Sequence, residues 1–269
     1  MENHLPNPPA LDPELAADVV VRSGAVSRRE ALRKTGLYGL ALASSPLALA
    51  ALSKEAYGQG LPAGVRSALE FALLLEHLEY EFYAQGVATA NLIPTSERAL
   101  FTTIRDHEEA HVRFLQTVLG LTPGVGPGSA QRPPNGFDFT GARAGLNLNT
   151  FQSYQTFLAV SQGLEDTGVR AYKGQAGNVM SSDVVLEAAL NIHSVEARHA
   201  SAVRRVRGQK GWITRNQTDL PAAFAPIYAG EEATVSVGGS FTAEQISEAF
   251  DEVLTEAQVT AIATVFIRA

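Results

Sequence analysis

The pattern Glu-x-x-His occurs in this chain at Glu108–His111 and again at Glu196–His199, and each copy follows a lone glutamate, Glu76 and Glu165. The spacing repeats as well. Glu76 precedes Glu108 by 32 residues and Glu165 precedes Glu196 by 31. A tyrosine stands seven residues after each leading glutamate, at Tyr83 and Tyr172. Residues three apart on a helix share a face, so each Glu-x-x-His can aim both side chains at one point. One copy would be an ordinary surface pair. Two copies in two matched helix pairs predict an all-α chain built on a four-helix bundle whose six polar side chains converge on its axis.

Four carboxylates and two imidazoles in this order form the ligand set of a two-metal centre. A carboxylate has two oxygens and can bridge two ions, whereas imidazole offers one nitrogen and suits iron, manganese or zinc. Glu108 and Glu196 are expected to bridge, His111 and His199 to be terminal, and Glu76 and Glu165 to close the two ends. The cofactor implied is two metal ions, iron or manganese. Seven residues are about two helical turns, so Tyr83 and Tyr172 face the same way as the glutamates and can hydrogen-bond a ligand carboxylate from outside. They are also candidates, with Glu79, for moving a proton. Glu79, Glu81 and Glu109 otherwise read as solvated or capping residues, and His77, His107 and His193 as outer or surface residues that break the repeat.

At these residues the chain resembles the ferritin-like superfamily of di-metal carboxylate proteins, over residues 64–208 most strongly. The stretch Leu73-Leu74-Leu75-Glu76-His77-Leu78-Glu79-Tyr80-Glu81-Phe82-Tyr83 and the run Ala249-Phe250-Asp251-Glu252-Val253-Leu254-Thr255 are similar to a branch related to plant desiccation-related proteins. The resemblance implies metal ligands at Glu76, Glu108, His111, Glu165, Glu196 and His199, all of which are present.

Composition narrows the chemistry. The chain has 269 residues, enough for one substantial core, and no cysteine. Disulfides, zinc ribbons and iron–sulfur clusters are therefore excluded, as is a rubredoxin-type electron relay, and an oxidising compartment brings no thiol damage. A net charge of −7 argues against nucleic acid as a partner.

Three regions follow along the sequence. Residues 1–56 read as an export leader: Ser27-Arg28-Arg29-Glu30-Ala31-Leu32-Arg33 precedes an apolar run from Thr35 to Leu52, and Ala48-Leu49-Ala50 offers a small-residue cleavage site. This resembles a twin-arginine signal, with Ala31 and Arg33 departing from the usual pattern. It implies a periplasmic or extracellular protein exported after folding. An amphipathic or buried N-terminal helix is the competing reading, and an uncleaved membrane anchor a third, although Ser44-Ser45-Pro46 interrupts the run. Residues 57–208 hold the bundle. Helix one is expected over Val65–Val87, helix two from a Thr95 or Ser96 cap to Leu119, helix three over Thr150–Gln175 with Gly174 and Gly177 at its end, and helix four over Asp183–Arg207 behind Ser181-Ser182. The Gly/Pro-rich segment Leu121–Asn149 is a crossover loop. Arg204, Arg205 and Arg207 complement the dipole of helix four. Residues 209–269 form an extension with a short strand near Val235 and Val237. Two short helices follow, behind the capping boxes Thr242-x-x-Gln245 and Thr255-x-x-Gln258. Ile246, Phe250, Val253 and Leu254 are expected to dock on the bundle or on a second copy of the chain.

Two adjacent redox ions exchange two electrons with one bridged ligand, so the first functional expectation is an oxidoreductase acting on peroxide, dioxygen or ferrous iron in stress protection. The alternative is a non-catalytic, desiccation-type protective or structural metal-binding bundle. Iron storage in a cage ranks lowest, because the long crossover and extension depart from compact cage-forming subunits.

Overall fold

The computed structural model describes residues 60–233 and 238–268. The leader expected at 1–56 and the strand expected near Val235 and Val237 lie outside the described residues. Four long helices, α1 (Ala63–Ala88), α2 (Arg98–Val118), α3 (Tyr154–Val179) and α4 (Asp183–Val206), precede two short ones, α5 (Ala243–Ser247) and α6 (Glu256–Thr264). No strand occurs among the described residues; an isolated antiparallel bridge joins Phe137 and Ile267. No described helix is long and apolar enough to cross a membrane.

Side-chain pairs fix the helix directions. Glu76 meets His111 while Val87 meets Arg98, so α1 and α2 are antiparallel. Asp166 meets Arg204 while Gln162 meets Arg207, so α3 and α4 are antiparallel too. Tyr83 reaches Glu165 while Tyr172 reaches Glu76, which makes α1 and α3 antiparallel across the bundle. It follows that α2 and α3 run parallel. A chain leaving the end of α2 must travel the length of the bundle before α3 can begin, which explains the segment between Val118 and Tyr154.

That crossover is ordered by packing. Phe139 and Phe151 lie against Phe82, with ring centroids 5.4 and 5.9 Å away. Asp138 donates its backbone N–H to Phe266 at 2.7 Å, and Arg268 donates to Gly136 at 3.1 Å, so the C-terminus clamps the loop. His77, buried on α1, holds it from the other side, with its Nε2 3.1 Å from the Ala130 carbonyl.

Local chemistry explains where the helices start. Ser182 caps α4 by accepting from Val185 N–H, and Ser153 caps α3 by accepting from Thr156 N–H. Helix α3 is therefore displaced about one turn from the expected 150–175. Its expected stop signals, Gly174 and Gly177, lie inside it. Gly174 has another role: a Cβ there would stand 2.1 Å from the Leu254 carbonyl oxygen, so only glycine lets the C-terminal chain lie against α3. Neither Thr95 nor Ser96 caps α2; it begins after Glu97, which makes no side-chain cap. Both threonine capping boxes of the extension form.

The extension is anchored by Arg170, a fully buried residue of α3. Its guanidinium donates to the carbonyls of Ile227, Ala229 (2.7 Å) and Glu252 (2.7 Å), and its Nε lies 3.0 Å from buried Glu231. Of the four apolar residues expected to dock, Leu254 is buried, Ile246 is partly covered, and Phe250 and Val253 stay exposed. Val259, Ile262 and Phe266 make the contact instead, because the helix that packs is α6 rather than α5.

Two apolar layers result. One, at the Tyr83 end, centres on Phe82, Phe101 and Phe157, with Phe82 and Phe157 stacked 4.9 Å apart. The other, at the Tyr172 end, contains Leu69, Val112, Leu115 and Val185. The polar residues of the repeated motif lie between them.

Candidate metal centre

All six residues of the repeated motif meet in the middle of the bundle, each from an interior position of its helix. The glutamates are fully buried, and His111 and His199 are 8% and 5% exposed. Their donor atoms form two overlapping groups. Glu76, Glu108, His111 and Glu196 offer atoms within 4.8 Å of one another, and so do Glu108, Glu165, Glu196 and His199. Glu108 and Glu196 belong to both. One oxygen of Glu108, Oε2, lies 2.9 Å from His111 Nδ1, and the other, Oε1, lies 2.8 Å from His199 Nδ1.

The tyrosines exchange partners across the bundle. Tyr83, on α1, donates to Oε1 of Glu165 on α3, and Tyr172, on α3, donates to Oε1 of Glu76 on α1. The Tyr83 hydroxyl also lies 2.6 Å from Ser161 Oγ. Each phenol thus occupies one oxygen of a terminal glutamate and leaves Oε2 facing a histidine, at 3.0 Å for Glu76 to His111 and 3.4 Å for Glu165 to His199.

Charge balance is the problem this arrangement poses. An ionised carboxylate taken into a protein interior costs several kcal/mol unless it is compensated. Burial pushes Glu76 up to about 7, and pushes Glu165 up and Glu196 far up, with neighbouring carboxylates adding to it. Burial also opposes ionisation of Glu108, but the two imidazoles beside it outweigh this and hold it well below the usual range. Burial pushes the imidazoles down, yet the carboxylates win: Glu76 and Glu108 hold His111 well above its ordinary value, and Glu165 with Glu108 lifts His199 to about 11. The cluster therefore favours positive charge at its centre.

Hydrogen bonding does not satisfy it. Glu108 Oε1, Glu165 Oε2, both oxygens of Glu196 and His199 Nδ1 are buried without a hydrogen bond of acceptable geometry. Buried polar atoms are ordinarily paired. Five such atoms aimed at one small volume, all of them oxygen or imidazole nitrogen, are consistent with a site for two metal ions.

Sequence reasoning overlooked part of the surroundings. Glu79, expected to be solvated or capping, is buried, and burial together with Glu196 and Glu165 pushes its carboxyl far up. It stands three residues after Glu76, so the spacing that picked out the motif also places it on the inner face. Opposite it is Gly168, three residues after Glu165. A Cβ on Gly168 would lie 3.0 Å from both Glu79 Oε1 and Glu196 Oε2, so glycine makes the room that these two carboxylates use. Glu109 pairs with Arg113 at the surface, whereas Glu81, also expected to be solvated or capping, is mostly buried in an ion pair with Arg132 of the crossover. His193 is half-buried away from the cluster, and His107 is exposed, next to His199. Arg204, beyond its place at the end of α4, is buried against Asp166 with Tyr228 donating to the same carboxylate.

A search of curated proteins finds no match to the chain. A family model described as a ferritin-like domain matches residues 65–209, more than half of the chain and all but the first two residues of the four-helix unit that carries the cluster. By fold, by the extent of that match and by the paired Glu/His clusters at its centre, the chain belongs to the ferritin-like domain family.

Proposed function

We propose that this chain is a di-metal carboxylate oxidoreductase that acts on peroxide or dioxygen, with iron or manganese held by Glu76, Glu108, His111, Glu165, Glu196 and His199. The observation that carries the reading is the set of five buried ligand atoms that lack a well-formed hydrogen bond and are shared between two overlapping groups. A structural core has no use for them, since leaving one buried polar group unpaired costs about 1–3 kcal/mol. When bound, such a pair of ions supplies two-electron exchange with a single small ligand. The chain's own contribution is positional. Glu108 and Glu196 hold the two sites together, the tyrosines orient the terminal glutamates, and the apolar layers on either side exclude bulk water. Glu79, buried beside Glu196 in the room left by Gly168, would hold a proton next to the centre. The absence of cysteine favours peroxide disproportionation or ferrous oxidation over reactions that need an external electron relay.

The enclosure of the cluster favours a second reading, a protective bundle that sequesters metal without turnover. The glutamates have no exposure at all, and the described hollows beside Tyr172 are apolar and about 10 and 20 Å³, near the size of one water. In either case we propose an exported protein, on the strength of Ser27-Arg28-Arg29 and the apolar run after it.

Metal analysis and a peroxide-consumption assay on one sample of the full chain separate these readings. About two iron or manganese per chain, with peroxide loss abolished in Glu108→Ala, supports the enzyme. Two ions without turnover supports sequestration. A chain that takes up no metal after anaerobic loading contradicts both.

A further inference from the structure

His107 lies on α2 immediately before Glu108, outside the six-residue motif. Its Nδ1 is 2.9 Å from Nε2 of His199 on α4. The two rings are within 16° of parallel with centroids 5.2 Å apart, so they meet edge to edge, each nitrogen in the plane of the other ring. His199 turns its other nitrogen, Nδ1, to Glu108 and Glu165. With a metal at that nitrogen, the proton positions would follow. A ring that gives Nδ1 to a metal keeps its hydrogen on Nε2, and that hydrogen points at His107. His107 must then accept at Nδ1 and carry its own hydrogen on Nε2, on the exposed side of α2.

The other end of the centre is built differently. The internal repeat matches Glu108 with Glu196, and so matches His107 with Val195, which has no ring nitrogen to offer. His111 also faces the cluster through Nδ1, with no histidine supplied by the repeat behind it.

We infer that His107 is a positioning residue: it accepts the Nε2 hydrogen of His199, sets Nδ1 as the metal-binding nitrogen, and makes the Glu165–His199 end of the centre the tighter of the two. Outer partners of metal-bound histidines fix the tautomer and raise the basicity of the ligand, and losing one typically weakens metal binding about 10–100-fold. The inference rests on the di-metal reading above. It adds an inequality between two sites that the sequence repeat alone would make equivalent.

The test uses the full chain, labelled with ¹⁵N-histidine and loaded with Zn(II), a diamagnetic probe. Long-range ¹H–¹⁵N spectra should show His199 protonated at Nε2. Chelator competition should resolve two affinities, and His107→Ala and His107→Phe should each weaken the tighter one about 10–100-fold while sparing the other. His107→Asn, which restores an acceptor, should recover most of the loss; a packing role would instead be rescued by Phe. A zinc-loaded His199 protonated at Nδ1, or a His107→Phe protein with wild-type affinities, overturns the role of His107 and leaves the centre standing. Wild-type protein that binds no zinc, iron or manganese overturns the centre and this role together.

Discussion

The two tyrosines show how a single hydroxyl can shape the cluster. Each donates to the terminal glutamate of the opposite half, and each is buried where water cannot replace it. Tyr83→Phe or Tyr172→Phe should therefore free the glutamate to rotate and lower metal affinity about 10-fold or more at that end. Isothermal titration of each variant with Mn(II) checks this, and unchanged affinity in both would remove the tyrosines from the centre. The pH dependence of binding follows from the same residues. Metal ligands must lose their protons to bind. His199, lifted to about 11, holds a proton throughout the neutral range, so an ion displaces it there. Glu76, lifted to about 7, is protonated below that value and ionised above it, so it adds one further displaced proton on the acid side. Each displaced proton makes affinity rise about tenfold per pH unit. Affinity should thus rise with pH, and more steeply below 7 than above it. Competition titrations at pH 6, 7 and 8 test the sign and the change of slope, and a flat profile would contradict both.

Among the elements, α3 has the most tasks. It carries Glu165 and Tyr172 to the cluster, yields space at Gly168, and holds the C-terminal extension through Arg170 and Gly174. Its unusual length of burial follows from packing on both sides. Arg170 is the residue on which the extension depends. Replacing it with methionine fills similar volume but strands Glu231 and three backbone carbonyls. Removing one partner of a buried ion pair typically destabilises by about 3–5 kcal/mol. Urea unfolding of Arg170→Met should show a loss of that order. A loss below about 1 kcal/mol would mean that the extension is held by α6 and its apolar contacts instead. Nothing at the level of local sequence pattern marked Arg170, because an arginine on a helix is ordinarily exposed. Its role exists only once Ile227, Ala229, Glu231 and Glu252 return to the bundle.

For the molecule as a whole, the cluster is a fault line between two apolar layers. Four carboxylates held close together destabilise the bundle unless cations neutralise them, so bound metal should act as a clamp on all four helices at once. A ligand that binds only the folded chain stabilises it by about 4 kcal/mol at a thousandfold excess over its dissociation constant. The thermal midpoint of the full chain should accordingly rise on loading with Mn(II) or Fe(II) and fall back after chelation, as scanning calorimetry would record. An unchanged midpoint would sink the proposal that the ions bridge the helices. The helix directions make the same point about the crossover: parallel α2 and α3 require a long connection, and the C-terminus, through Phe266 and Arg268, holds that connection in place.

Much of this was legible in the chain itself. Local spacing decides which side chains share a helix face, so two Glu-x-x-His copies, two leading glutamates and two tyrosines were enough to place a four-helix bundle and the six residues that meet in it. Capping chemistry is equally local, which is why Ser182, Thr242 and Thr255 mark their helices in the sequence. What tertiary structure alone decided involves pairs distant in sequence. The tyrosines cross to the opposite glutamate because α1 and α3 run antiparallel. Glu79 is buried because Gly168 gives it room. His107 matters because α4 brings His199 to it, and Gly174 sits within a helix because Leu254 needs the space. A periodic pattern reports the face a residue occupies, but not what another part of the chain will bring against that face.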